Sequence, residues 1–267
     1  MSAFDIAACA ALMDGITKIA AQAAETIRDL VIKADVRTKA DGSPVTTADE
    51  AAEAVIREGL ARLAPDVPII SEEQAGREKP NIPRGEGASY FLVDPLDGTR
   101  EFIAGRDEYT INIALMAGGA PRLGLIAAPA LNLAWRGIVG RGAERIALAV
   151  GTAASPAAIC VRPRPARGLV VMVSRSHLEP RTRAYVERLP EAALMQSGSA
   201  IKFCRVAEGT ADLYPRLAPT RDWDVAAGHA IVKAAGGEVT APDGSPLVYG
   251  TTDLLIPGFI ATGAVTA

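Results

Sequence analysis

The chain has 267 residues, of which 49% are hydrophobic and 22% charged, and its formal net charge is -3 at pH 7. A charge so close to zero leaves no broad basic face, so we expect no nucleic-acid partner. No apolar run is long enough to cross a bilayer, residues 1–12 lack the features of a signal peptide, and three scattered cysteines indicate free thiols. We therefore expect a cytoplasmic protein without a transmembrane segment.

The first half of the chain begins with two predicted helices and continues into strands. Apolar residues at helical spacing predict a helix over residues 3–33, and Thr46 or Thr47 caps a second helix that ends near Leu63. A short apolar run at residues 67–70 precedes two glutamates. Further strands are predicted over residues 90–93, 109–117, 124–128 and 134–139, and a helix begins near Gly98.

A stretch rich in Ala, Pro and Arg, at residues 149–167, predicts a domain boundary. It divides an N-terminal α+β subdomain, residues 1–150, from a C-terminal α/β subdomain, residues 151–267. Beyond the boundary we predict strands over residues 169–173 and 259–261, and helices over residues 181–189, 199–208 and 224–235. Helices and strands alternate without strict βαβ regularity, so the predicted fold class is a layered α/β arrangement rather than a barrel.

The hexapeptide "DPLDGT" at residues 94–99 carries more chemical information than any other stretch. The predicted strand over residues 90–93 delivers it to the edge of a sheet. Asp94 and Asp97 offer hard oxygen ligands of the kind that Mg²⁺ prefers. The N–H groups of Gly98 and Thr99 follow at a helix start, where a phosphate is readily bound. Together these groups indicate a phosphoryl-transfer site.

Four acidic residues follow an apolar run or open a helix, where side chains project into a cleft: Glu72, Asp94, Asp97 and Asp224. Taken singly, each has an ordinary structural explanation. Glu72 and Asp94 can be turn residues, and Asp224 can be an N-cap. If all four converge, their mutual repulsion costs several kcal/mol unless a cation shares the site. The set therefore predicts Mg²⁺ as a cofactor.

Three segments resemble the inositol monophosphatase superfamily of lithium-sensitive, Mg²⁺-dependent phosphatases. They read "SPVTTADEAAE" at residues 43–53, "LVDPLDGTREFIAGRDEYTINIAL" at residues 92–115 and "WDVAAGHAIVKAAGG" at residues 223–237. The resemblance implies the αβαβα sandwich of inositol monophosphatases and fructose-1,6-bisphosphatases. Within the superfamily, "SRSH" at residues 174–177 and "GSAIKFCRVAEGTADLYPR" at residues 198–216 resemble the bacterial 3'(2'),5'-bisphosphate nucleotidases.

This resemblance implies a specific set of metal ligands. Glu72, Asp94 and the carbonyl of Leu96 would hold one Mg²⁺. Asp94, Asp97 and Asp224 would hold a second, so that Asp94 bridges the pair. The alternative is three ions per site, the third being bound mainly through water near Glu72.

The resemblance also implies catalytic and substrate-binding residues. Asp49 and Thr99 would orient the attacking water and help to take its proton, and Glu72 is the third predicted catalytic residue. Asp49 has an equally simple explanation as a first-turn helix residue. The substrate contacts expected beside the metals are Leu96, Asp97, Gly98, Thr99 and Asp224.

Four further residues match positions that contact the nucleotide and its second phosphate in the nucleotidase branch: His177, Ser199, Lys202 and Arg216. Inositol-cleaving relatives generally carry an acidic residue at the position of Arg216, whereas a guanidinium suits a bidentate phosphate contact. A helix-face lysine, a surface arginine and a packed histidine are the structural alternatives. The resemblance implies hydrolysis of 3'-phosphoadenosine 5'-phosphate (PAP) to AMP and phosphate, in sulfur assimilation.

Other functions stay open at the level of the sequence. The same chemistry can act on inositol monophosphate or fructose 1,6-bisphosphate. Haloacid-dehalogenase phosphatases need a single residue between their two aspartates. In this chain two residues, Pro95 and Leu96, separate Asp94 from Asp97, which argues against that class. The non-enzymatic alternative is a sensor of a phosphorylated ligand or a metal. A monomer or a homodimer is expected, and peripheral association with the inner membrane is an alternative location.

Overall fold

The computed structural model describes residues 4–31, 33–39, 42–85, 87–148, 156–175 and 178–264. Its helices are α1 (Ile6–Leu30), α2 (Thr47–Leu63), α3 (Glu72–Ala75), α4 (Thr99–Ile103), α5 (Pro180–Val186), α6 (Ile201–Ala207) and α7 (Asp222–Ala234). Its strands are β1 (Val36–Thr38), β2 (Pro44–Thr46), β3 (Ile69–Ser71), β4 (Ser89–Asp97), β5 (Thr110–Ala117), β6 (Ala120–Ala128), β7 (Leu133–Ile138), β8 (Gly142–Ala147), β9 (Ala157–Ile159), β10 (Val170–Ser174), β11 (Ala193–Ser197), β12 (Leu213–Arg216), β13 (Thr220–Arg221), β14 (Glu238–Thr240), β15 (Leu255–Ile256) and β16 (Phe259–Thr262).

Two sheets form the framework. The larger has seven strands in the order β3-β4-β5-β6-β7-β8-β9, in which only β3 and β4 are parallel neighbours. The smaller has five strands in the order β11-β10-β12-β16-β14, with β10 parallel to both β11 and β12. Parallel neighbouring strands end at the same edge of a sheet. The residues that follow β3 therefore lie beside the end of β4, and the residues that follow β10 lie beside those that follow β11.

Helices cover both sheets and separate them. α1 and α2 pack on one face of the larger sheet through an apolar cluster that includes Ile16, Ile56 and Phe91. α6 and α7 lie between the two sheets, where Phe203 and Trp135 belong to a second cluster. α5 covers the outer face of the smaller sheet through a third cluster. The order of layers is αβαβα, which confirms the predicted fold class.

A glycine allows the central helices to approach closely. A Cβ atom on Gly228 of α7 would lie 2.3 Å from the ring of Phe203 on α6. Since such a contact is too short for any side chain, only glycine lets α7 lie against this ring. The Phe203 ring in turn stacks on Phe259 of the smaller sheet, with 5.0 Å between ring centroids. This packing fixes α6 and α7 relative to the strands whose ends carry the candidate site.

Most predicted elements are confirmed, with shifted bounds. α1 is shorter than the predicted helix, α2 begins after Thr46 as predicted, and α7 begins two residues before Asp224. The prediction that the strand before the hexapeptide ends at Val93 was wrong, because β4 continues to Asp97. The strands that were not predicted include β1, β2, β8, β9, β11, β12, β13, β14 and β15. β11 was missed because four of its five residues are exposed, so it lacks a buried face with a period of two.

The N-terminal helix α1 is both long and apolar. By length and composition alone, α1 is apolar enough to cross a membrane, contrary to what the sequence indicated. Core helices of soluble proteins are also found with this length and apolar composition. Its residues Ile16, Ala20 and Ile27 are buried in the cluster shared with α2 and the larger sheet. α1 therefore serves as a core helix in this fold.

The division into subdomains stays a prediction. Residues 149–155, where the boundary begins, lie outside the described residues. The apolar cluster around α6 and α7 includes residues from both predicted subdomains.

Candidate active site

A bulge in β4 brings two aspartates to one cleft. In a regular strand, residues three positions apart point to opposite faces of the sheet. Here Asp94 lies opposite Asn112 of β5, but Asp97 lies opposite Thr110, so Pro95 and Leu96 together face one residue of β5. Asp94 and Asp97 consequently line the same cleft. The backbone N–H of Leu96 donates to Asp94 Oδ1 at 3.0 Å, which fixes that carboxylate.

Two further acids reach this cleft from other elements. Glu72 comes directly after β3, which is parallel to β4 and pairs Ser71 with Val93. Asp224 is the third residue of α7 rather than its N-cap. Its Oδ2 accepts hydrogen bonds from the N–H of Arg221 at 3.1 Å and from the hydroxyl of Thr220. Thr220 thus orients Asp224, a role that the sequence did not indicate.

The acids form a cluster suited to a cation. Carboxylate oxygens of Glu72, Asp94 and Asp224 all lie within 4.8 Å of one another. Burial raises the pKa of Glu72 to about 7, with Lys39 opposing the rise and Asp224 adding to it. Burial, followed by Glu72 and Asp97, raises the pKa of Asp94 well above its usual value. Crowded carboxylates disfavour each other's ionised form, and a divalent cation would remove that penalty. The oxygen donor set fits a hard divalent cation.

Asp97 extends the negative cluster toward a positively charged wall. Burial raises the pKa of Asp97 to about 6, and Asp224 adds to the rise. Lys202 and Arg216 act in the opposite direction, since their positive charges favour the carboxylate. Asp97 is therefore positioned between the acids and the bases of the cleft.

Lys39 is an internal counter-charge that sequence reasoning missed. Its Nζ lies 2.7 Å from Glu72 Oε1 and 2.6 Å from Glu73 Oε1. Burial alone would lower the pKa of Lys39, but the two glutamates raise it above its usual value. Lys39 closes the hairpin of β1 and β2, where its N–H donates to the Ser43 carbonyl at 2.8 Å. The ammonium thus joins this hairpin to the acidic cluster.

Asp49 and Thr99 are in direct contact beside the acids. The Thr99 hydroxyl lies 3.1 Å from Asp49 Oδ1 and 3.2 Å from the Leu96 carbonyl. The other oxygen of Asp49 accepts from the Thr46 N–H at 2.8 Å and from the Thr46 hydroxyl at 2.6 Å. Burial raises the pKa of Asp49, while these hydrogen bonds from Thr46 oppose the rise. The carboxylate has therefore a fixed orientation.

The turn after β4 leads into α4. Gly98 has a φ of 92°, in the left-handed region, and is the residue before the first turn of α4. A Cβ atom there would lie 3.1 Å from the Glu108 carbonyl and 3.3 Å from the Ser199 side chain. Both the backbone conformation and the close approach favour glycine. Gly98 and Thr99 line the cleft with the acids.

The opposite wall of the cleft carries positive charge. Lys202 of α6 is 2% exposed, and its Nζ donates to the Ser197 carbonyl at 3.2 Å and to the Ser199 carbonyl. The same Nζ lies 5.2 Å from the centroid of the Tyr214 ring. Burial lowers the pKa of Lys202 to about 8, against the attraction of Asp97. A buried ammonium without a carboxylate hydrogen-bond partner is costly unless an anion approaches it.

Arg216 and Ser199 complete this wall. Arg216 ends β12, and its guanidinium hydrogen-bonds the Tyr214 hydroxyl and faces the cleft. The Ser199 hydroxyl is buried and has no hydrogen-bond partner among the described residues. Ser174, at the end of β10, also lines the cleft and was not singled out from the sequence. His177 lies outside the described residues, so its predicted substrate contact stays a prediction.

Acidic and basic side chains line the same cleft. Its volume is about 300 Å³, at the small end of the range for ligand pockets. The predicted site residues that it brings together are Glu72, Asp94, Leu96, Asp97, Gly98, Thr99, Ser199, Lys202, Arg216 and Asp224, with Asp49 held behind Thr99. This arrangement can hold a divalent cation on one side and an anionic group on the other.

Comparison with known proteins defines the class of this chain. The model of the inositol monophosphatase family matches residues 2–265. The chain belongs to that family, which is metal-dependent.

Individual proteins that are similar to this chain belong to one branch of the family, the bisphosphate nucleotidases, or to the inositol monophosphatases. The 3'(2'),5'-bisphosphate nucleotidase CysQ of Shigella flexneri is 42% identical over 259 residues, which span 93% of this chain and 98% of CysQ. The structure of CysQ from Bacteroides thetaiotaomicron is 32% identical, with a TM-score of 0.76 and 97% of each chain covered. A solved IMPase from Thermotoga maritima is 25% identical, with a TM-score of 0.75 and coverage of 94% of this chain and 91% of its own. These comparisons confirm the predicted resemblance to the inositol monophosphatase superfamily and, within it, to the bisphosphate nucleotidases.

Proposed function

We propose that this protein is a 3'(2'),5'-bisphosphate nucleotidase that hydrolyses PAP to AMP and phosphate with Mg²⁺. One observation carries the proposal: a cluster of carboxylates faces a buried lysine and an arginine across a single cleft. A substrate with two phosphates matches both sides, because one phosphate is placed at the metal ligands and the other at the bases. The nucleotidases that share 42% identity with the chain support this choice.

In this proposal the metal ligands are Glu72, Asp94, Asp97, Asp224 and the carbonyl of Leu96, and they hold two or three Mg²⁺ ions. Bound divalent cations supply Lewis acidity toward the scissile phosphoryl group and toward the attacking water. Asp49 accepts a proton through the Thr99 hydroxyl, which lies 3.1 Å from its carboxylate. The raised pKa of the buried Asp49 suits an acceptor of a proton. The N–H groups of Gly98 and Thr99 bind oxygens of the phosphate.

The second phosphate and the nucleoside lie at the opposite wall. Lys202 and Arg216 neutralise the phosphate that is not cleaved, and Ser199, whose buried hydroxyl has no partner among the residues that the structure describes, donates it to the same ligand. Binding of an anion would also satisfy the buried ammonium of Lys202. His177 contacts the nucleotide in this proposal. An inositol monophosphate lacks the second phosphate and leaves these charges without a partner.

The cell compartment and the pathway belong to the same proposal. A nucleotidase acting on PAP would serve sulfur assimilation, in the cytoplasm. No feature of the residues that the structure describes supports peripheral membrane association.

The test of the chemistry asks whether an oxygen atom from water enters the released phosphate. The purified protein is incubated with PAP and Mg²⁺ in water labelled with oxygen-18, and the products are separated and weighed by mass spectrometry. We expect AMP and a phosphate that carries one labelled oxygen, and no product when EDTA replaces Mg²⁺. Isolation of a phosphorylated aspartate would contradict direct attack by water. Absence of any phosphate release would favour a sensor.

A further inference from the structure

Glu108 bridges the two parts of the chain that form the cleft. It lies between α4 and β5, on the side of the larger sheet, while its partners follow two strands of the smaller sheet. Its carboxylate accepts from Arg175 Nε at 2.8 Å and from Arg175 Nη2 at 2.7 Å, so the pair is bidentate. Its Oε2 also accepts from the backbone N–H of Gly198 at 3.0 Å. One side chain thus ties together residues that follow the parallel neighbours β10 and β11.

The backbone around Gly198 is packed against the same segment. A Cβ atom on Gly198 would lie 2.6 Å from the Glu108 carbonyl and 2.8 Å from Glu101 Cγ. The next residue, Ser199, has a φ of 44°, in the left-handed region that non-glycine residues rarely adopt. Such a conformation persists only where the surroundings fix it. The contacts of Glu108 with Gly198 supply that constraint from one side.

The fixed backbone carries the groups that face the substrate. The carbonyls of Ser197 and Ser199 both accept from Lys202 Nζ, so the turn at residues 197–199 decides where this ammonium lies. The Ser199 side chain also lies beside Gly98, at the turn that leads from the metal ligands into α4. A shift of this turn would therefore move Ser199 and Lys202 relative to the acidic cluster.

We propose that Glu108, held by Arg175, is a positioning residue that sets the affinity for the nucleotide by fixing the turn that carries Ser199 and Lys202. Neither Glu108 nor Arg175 belongs to the described lining of the cleft itself, so neither contacts the reacting atoms. The proposal rests on the proposed function for the identity of the ligand. Its structural part, the fixing of the turn, does not depend on that identity.

The kinetic test compares two matched variants. Glu108→Gln keeps the size of the side chain but replaces one acceptor oxygen by a donor that opposes the guanidinium. Glu144→Gln is the control, because Glu144 pairs with Arg136 at 2.6 Å, has a similar partly exposed position and does not line the cleft. For PAP we expect KM to rise about tenfold in Glu108→Gln, with kcat reduced less than about threefold, and no change in the control. A KM equal to that of the control overturns the proposal, as does a loss of kcat that simply follows a loss of folded protein.

A double-mutant cycle asks whether the pair acts as a unit. Arg175→Met and the double variant with Glu108→Gln are measured in the same assay. If Arg175 acts only through Glu108, the double variant has the same KM as the single variants. Effects on KM that multiply show that the two residues act independently, which overturns the role of the pair.

Amide hydrogen exchange separates this proposal from the proposed function. Exchange is followed by mass spectrometry in peptides that cover residues 196–203, without any substrate. Faster exchange in Glu108→Gln than in Glu144→Gln supports the fixing of the turn, and equal exchange overturns it. If the wild-type protein does not cleave PAP, the proposed function fails, and the exchange experiment still decides the role of Glu108 in the turn.

Discussion

The hydroxyl of Thr99 lies 3.1 Å from the carboxylate of Asp49, which joins the first turn of α4 to the first turn of α2. Thr46 holds the second oxygen of Asp49 through two hydrogen bonds of 2.8 and 2.6 Å. Asp49 therefore presents one defined oxygen to Thr99. The same hydroxyl lies 3.2 Å from the carbonyl of Leu96, a proposed metal ligand. The proposed proton acceptor and the proposed metal site are thus connected through a single side chain.

Removal of the Thr99 hydroxyl tests this connection. We expect Thr99→Ala to lower kcat by about 10²-fold or more, because a positioned proton acceptor contributes on that scale. Thr99→Ser keeps the hydroxyl and is the matched control, with a kcat within about tenfold of wild type. Calorimetric titration with Mg²⁺ should give similar affinities for both variants. Equal activity of the alanine and serine variants would exclude the proposed role.

Asp97→Asn separates catalysis from stability. Loss of a charged metal ligand should reduce kcat by about 10³-fold. Without metal, the same change removes one partly buried charge from a repulsive cluster, so the Tm of the metal-free variant should be at or above that of the wild type. Differential scanning fluorimetry with and without Mg²⁺ measures both states. Near-normal activity, or an unfolded variant, would contradict this account of Asp97.

The acidic cluster predicts how the stability of the metal-free protein depends on pH. Burial raises the pKa of Asp97 from 3.8 to about 6 and that of Glu72 from 4.5 to about 7. Since the folded state holds these protons more tightly, their contribution is fully present below pH 4 and is lost as the pH rises to about 7. Between pH 5 and 7.5, where exposed carboxyl groups of ordinary pKa are already ionised, the Tm in EDTA should fall.

Saturating Mg²⁺ should remove this fall, because cation binding requires the ionised carboxylates. Thermal unfolding at a series of pH values, in EDTA and in Mg²⁺, makes the comparison. A Tm that declines equally in both conditions would show that the fall has another origin.

Lys202 predicts the pH dependence of substrate binding. Burial lowers its pKa to about 8, so its ammonium loses a proton at a lower pH than an exposed lysine does. The KM for PAP should therefore rise as the pH increases above about 8. In Lys202→Gln the KM should be raised at pH values below about 8, where the wild type carries the ammonium, and this pH dependence should be absent. A wild-type profile that stays flat up to pH 9.5 would remove Lys202 from the binding of the second phosphate.

Residues close together in the sequence were the easiest to predict. The hexapeptide at residues 94–99 indicated candidate metal ligands because it combines a buried strand, two carboxylates and a glycine within one short segment. The bulge that places Asp94 and Asp97 in one cleft was not predictable, since register depends on the pairing of β4 with β5. Pro95 is consistent with a bulge, because it has no N–H for a regular ladder.

Contacts between distant residues left no signal in the sequence. Lys39 is separated from Glu72 by 33 positions, and Glu108 from Arg175 by 67. Taken alone in the sequence, each of these residues looks like an ordinary charged residue of a turn or of the surface. Only the packing of the layers brings such pairs together, so neither the internal counter-charge nor the link between the two sheets was visible in the sequence.

The central claim is that the cleft selects a substrate with two phosphates, and relative specificity tests it most directly. Phosphate release is measured with Mg²⁺ from PAP, which carries two phosphates, and from inositol 1-phosphate, which carries one, and kcat/KM is determined for each. We expect the value for PAP to exceed that for inositol 1-phosphate by at least about 10²-fold, because without a second phosphate the positive charges of Lys202 and Arg216 have no anionic partner in the complex. A kcat/KM for PAP that is no higher than that for inositol 1-phosphate would contradict the assignment.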